Sequence, residues 1–109
     1  KIEVQNAAFK TAGILHNAGV QVAITTDHPV SLIQSLPLCA GLLMREGLDE
    51  FRALQTITIN PARHLGIDYA VGSIEIGKDA DLVLTRGCPM EMTVKPEAVF
   101  VSGEMVYSR

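Results

Sequence analysis

Residues 20–26, VQVAITT, constrain this chain more than any other stretch. The run is too short for a stable helix, and its Val, Ile and Thr content is that of a strand. A helix-patterned segment ends one residue earlier, at Gly19. Such a short connection is typical of an αβ unit and favours a parallel sheet. Alternation puts Val20, Val22 and Ile24 on one face, and Gln21, Ala23, Thr25 and Asp27 on the other. The first face suits a layer of helices. The second grows polar toward its C-terminal end, where the strand meets Asp27, His28 and Pro29.

The flanking pattern agrees. Residues 4–18 read as a helix with Val4, Ala8, Leu15 and Ala18 near one face, Ala12 between them, and Lys10 and His16 off it. Gly19 is a residue suited to a helix C-terminus. Residues 35–46 read as a second helix, with Ser35 as N-cap, Pro37 in the first turn, Leu38, Leu42, Leu43 and Met44 as apolar cover, and Gly47 as its end. Asp49 is expected to cap a third helix carrying Phe51, Leu54 and Ile57. In INPARHLG, Asn60 is expected as cap, Pro61 as first helical residue and Gly66 as terminator. Past residue 70 the texture changes. DLVLT, AVFVS and EMVYS are short strands, and Ser102-Gly103 marks a tight hairpin. Residues 1–70 thus read α-β-α-α, and residues 71–109 read all-β.

Composition narrows the function classes. With two Tyr, three Phe and no Trp, the core must be aliphatic. Net charge is −3 with both signs dispersed, so no basic stripe points to nucleic acid. No apolar run reaches the roughly 18 residues of a membrane span. Cys39 and Cys88 form no C-x-x-C and read as reduced, structural thiols of a cytoplasmic protein. A chain beginning KIEVQNAAFK reads as cut from something longer.

Asp27 is the sharpest chemical candidate. Ligands of barrels and open α/β sheets bind at the C-terminal ends of parallel strands. A carboxylate there can coordinate a cation or take a proton from a water. It can equally cap a turn ahead of Pro29. His28 can line the same pocket, touch substrate or orient a neighbour, or be a polar residue at its rim. His16 and His64 near helix C-termini read as structural. Asp79 and Asp81 in GKDAD lack the pattern of a calcium loop and read as a turn entering a strand. There is no glycine-rich phosphate loop, nucleophile elbow or H-E-x-x-H.

Three stretches in one order, AITTDHPV, ALQTITINPARHLG and GSIEIGKDADLVL, resemble the C-terminal part of the metal-dependent amidohydrolase superfamily, nearest to its imidazolonepropionase-like members. The resemblance implies an α/β fold class: the C-terminal fragment of a (β/α)8 TIM-like barrel in residues 1–70, then part of a small β-sandwich in residues 71–109. It implies that Asp27 matches the aspartate ending the eighth barrel strand. That residue binds a divalent metal, Zn or Fe, and shuttles a proton as water attacks an amide-like C–N bond. The implied partners are a small-molecule amide-like substrate and the rest of the barrel and sandwich, with no nucleic acid and no membrane.

The resemblance also shows what is missing. The family's His-x-His and its histidines from the fifth and sixth strands have no counterpart among His16, His28 and His64. Catalytic zinc usually takes about three protein ligands, so this chain alone is expected to be inactive and to hold metal poorly. Two other readings stand beside this one. One is a non-catalytic interaction or homo-oligomerisation module derived from the same fold. The other is a separate β-rich domain with residues 1–70 as an accessory arm.

Overall fold

The computed structural model describes residues 9–109. Helix α1 spans Lys10–Asn17, α2 Leu36–Arg45 behind a 3-10 turn at Ile33–Ser35, α3 Glu50–Gln55 and α4 Ile59–His64. Of the apolar face expected on the first helix, Ala12 packs on the core, whereas Leu15 and Ala18 are exposed. Val4 and Ala8 lie outside the described residues.

Three of the helices stop by the same device. At the end of α2, Gly47 takes φ +101°. Its N–H donates to the Met44 carbonyl (3.2 Å), and the Leu48 N–H reaches back to the Leu43 carbonyl (3.1 Å). Leu48 and Leu43 are both buried, so the turn that closes the helix also adds to the core. Gly19 and Gly66 end α1 and α4 with the same pair of bonds.

Two caps differ from expectation. Ser35 is helical, and its hydroxyl donates to the Leu32 carbonyl (2.6 Å) instead of capping α2. The 3-10 turn already supplies the entry to that helix. Asn60 is the second residue of α4, not its cap, and its amide donates to the Val22 carbonyl (2.8 Å). Asp49 does cap α3, accepting the Arg52 N–H at 2.8 Å.

Residues 20–26 are extended but do not form a strand, because no ladder partner lies beside them among the described residues. A strand exists only through its neighbours' backbone groups. Two bonds tether the segment instead: the Ile24 N–H donates to the Thr56 carbonyl (3.0 Å), and Asn60 holds the Val22 carbonyl. Ile24 faces the core as the alternation predicts.

The β region is an antiparallel meander, β1 Leu82–Thr85, β2 Pro96–Val101 and β3 Glu104–Ser108, in the order β1-β2-β3. Pro96 opens its strand, where a missing N–H costs least. Ser102 (φ 49°) and Gly103 (φ 81°) make the expected tight turn. Asp81 accepts the Ser102 N–H at 2.8 Å, and the Gly103 N–H donates to the Ala80 carbonyl at 3.0 Å. The described residues hold this single sheet.

Helices and sheet region share one core. Ala40, Leu43, Leu48 and Ala53 come from the helical part, and Met90 comes from the loop between β1 and β2. Gly41 permits this contact: a Cβ there would lie 2.7 Å from the Met90 carbonyl oxygen. Gly72, at φ +94°, brings the following loop equally close to Ala62 of α4. Half of the buried apolar residues are alanines. Each larger aliphatic side chain, such as Leu43, adds about 1.5–3 kcal/mol.

Candidate functional site

The extended segment ends at Asp27, held in place by short-range bonds. The Asp27 N–H donates to Thr25 Oγ1 (3.1 Å), a local side-chain turn of the kind Thr makes two residues upstream. The Val30 N–H donates to the Asp27 carbonyl (2.8 Å), and the Ser31 N–H to the Thr26 carbonyl (3.3 Å). The His28–Pro29 peptide is cis. Asp27 itself adopts φ 52°, a left-handed conformation that costs an L-residue about 1–2 kcal/mol and that Asp tolerates better than most. Strand parity therefore stops at Thr26, and the turn sets the direction of the carboxylate.

The Asp27 carboxylate is exposed and accepts no hydrogen bond from the described residues. It is free to take a cation. His28 is committed differently. Its Nδ1 accepts the Ile33 N–H at 3.2 Å. The lone pair of Nδ1 is then used, so the neutral ring carries its proton on Nε2. In this state His28 presents a donor, not a metal-binding lone pair. Val30, 80% exposed, and the exposed Leu32 and Ile33 give the turn an apolar flank.

The remaining candidates do not converge on Asp27. His16 Nε2 pairs with Arg52 Nη1 (3.2 Å) between α1 and α3. His64 sits in the last turn of α4. Cys39 and Cys88 are free and half-buried, and Asp81 is spent on the hairpin. Among the described residues no three His, Cys, Asp or Glu side chains gather as a metal site. No helix among them is long and apolar enough to cross a membrane.

Sequence reading missed two arrangements. One is the Thr25 and His28 bonding around Asp27; its only sequence signal is a Thr two residues before an Asp. The other is a cluster in the turn before β1. Lys78 Nζ, with a side chain only 12% exposed, lies 2.8 Å from Glu75 Oε2 and donates to Ser73 Oγ at 2.6 Å, while the Ser73 hydroxyl donates to Glu75. The hydrogen bond from Lys78, then that from Ser73, hold the Glu75 carboxyl below its ordinary range.

Residues 5–106 match the amidohydrolase family. The chain belongs to the amidohydrolase family. The chain is also similar to a crystal structure of an amidohydrolase from Thermotoga maritima MSB8, with 38% identity and a TM-score of 0.92. That likeness covers all of this chain and 28% of the Thermotoga chain. The helices, extended segment and meander are therefore a fragment of the amidohydrolase fold, whose family implies a TIM barrel. The family generally uses divalent metals and acts on small molecules.

Proposed function

We propose that this chain is the C-terminal part of a metal-dependent, imidazolonepropionase-like hydrolase that cleaves an amide or cyclic amide-like C–N bond. One observation carries the reading: within a family match over residues 5–106, the extended segment ends in an exposed carboxylate, Asp27, that no described residue engages. Residues 20–27 would close a (β/α)8 barrel as its last strand, and residues 71–109 would complete a small sandwich. Substrate selectivity would come mainly from loops outside this chain.

Asp27 fits a divalent metal, Zn or Fe, as one ligand of several. A lone carboxylate is not a site, since catalytic zinc takes about three protein ligands and a water. The other ligands would come from the rest of the enzyme, and this chain by itself would be inactive. The metal, when bound, supplies a water acidic enough to attack at neutral pH. Asp27 would accept a proton from the attacking water and later deliver it to the departing nitrogen, one carboxyl acting as base and then as acid. His28, with its proton on Nε2, cannot ligate the metal through Nδ1 while that atom accepts from Ile33. We place the enzyme in the cytoplasm on its two reduced thiols.

The test uses the intact enzyme. Chelation should abolish hydrolysis, and added Zn or Fe should restore it. Asp27→Asn should remove most activity while leaving the protein folded. A soluble, monodisperse oligomer with no hydrolysis under any metal would return the non-catalytic interaction module.

A further inference from the structure

We propose that Thr25 and His28 are positioning residues for Asp27: they hold the turn that aims its carboxylate, and His28 does so through Nδ1 rather than by touching substrate. The inference rests on the reading of Asp27 given above.

The geometry assigns each residue a job. Beyond Thr26 the pleat no longer sets side-chain direction, because Asp27 is left-handed at φ 52°. An L-residue leaves that region unless local bonds hold it there. Thr25 Oγ1 accepts the Asp27 N–H at 3.1 Å and secures the residue from its N-terminal side. From the C-terminal side, His28 Nδ1 accepts the Ile33 N–H at 3.2 Å. That bond spans five residues and closes the loop whose inner bond joins Val30 N–H to the Asp27 carbonyl. The two side chains thus brace opposite ends of one short turn, and the carboxylate between them carries no other restraint among the described residues.

Side-chain geometry separates this role from substrate contact. The amide oxygen of Asn reaches the place of a histidine Nδ1, whereas the terminal amide of Gln reaches the place of Nε2. In the intact enzyme, His28→Asn and Thr25→Ser should keep kcat within about twofold of the parent. His28→Gln and Thr25→Val should lower kcat about five- to tenfold, the loss expected of one local hydrogen bond, with KM unchanged. Amide hydrogen exchange gives a readout independent of turnover. Exchange at Ile33 should quicken about five- to tenfold in His28→Gln, and at Asp27 by as much in Thr25→Val. It should return to the parent rate in His28→Asn and Thr25→Ser.

Rescue by Gln and not by Asn would overturn the proposal and make His28 a substrate contact. Unchanged exchange and unchanged kcat in His28→Gln and Thr25→Val would also overturn it. So would a lowered melting temperature with kcat intact, which marks a merely structural turn. Failure of the underlying reading looks different: a parent with no hydrolysis under any metal sinks the hydrolase, and a fully active Asp27→Asn sinks the role of Asp27, whatever residues 25 and 28 do.

Discussion

Residues 20–26 and residues 82–108 are both rich in β-forming side chains, yet only the second region forms a sheet. The meander contains its own partners. Each strand is joined to the next by a turn or a single loop, and the Ser102-Gly103 hairpin sets the register of the last pair. The segment at 20–26 has strand composition and strand alternation but no neighbour among the described residues, so it stays extended on two tethers. Propensity chooses a conformation for a segment; only a partner turns it into a ladder. The region that completes itself is structural in character, and the region that remains open carries the carboxylate.

That contrast can be tested from its strongest point downward. Asp27→Asn should cost the intact enzyme about 10²–10⁴-fold in kcat, the range of a positioned acid–base group, while leaving the denaturation midpoint where it was. A large stability loss instead would make the open segment structural and erase the contrast. Gly72→Ala should be the next largest effect, and it should fall on stability. The new Cβ would sit 2.8 Å from Ala62 Cβ at φ +94°, and strain with overpacking costs about 1–3 kcal/mol. Urea denaturation reads this directly.

Asp81→Ala should destabilise by about 1 kcal/mol through the lost bond to the Ser102 N–H. Exchange should quicken in the β2–β3 hairpin and not at Ile24. Equal quickening at both would show that the two regions melt as one. The smallest effect belongs to Glu75. Its carboxyl is held below the ordinary value of 4.5, mainly by the Lys78 hydrogen bond. Its contribution to stability is therefore full above about that pH and fades as pH falls through the lowered folded value. Glu75→Gln should flatten the acid limb of a pH–stability curve slightly and change nothing at pH 7 or above beyond the loss of a pair that is exposed on its Glu75 side.

The sequence was most readable where structure is local. Gly19, Gly47 and Gly66 end helices, Asp49 caps α3 and Ser102-Gly103 turns the hairpin, each through bonds spanning only a few residues. It was least readable where a distant group competes for the same atoms. Asn60 looks like a cap, but its amide is drawn to Val22, 38 residues away. Ser35 fails as a cap because the turn before it has already begun a helix. At the candidate site, alternation singled out Asp27 but could not foresee its left-handed backbone. Nor could it show that the His28 ring is turned to Ile33, since both follow from the loop as a closed object.

Met90 from the sheet region sits in the core between helices, against a glycine on α2 that leaves room for its carbonyl. A cut near residue 70 would therefore leave an open socket at Gly41 on one piece and the plug that fits it on the other. Pieces that carry matching halves of one core are the raw material of fragment complementation. Here the place where the chain passes from helices to sheet is also a place where its two parts are equipped to find each other again.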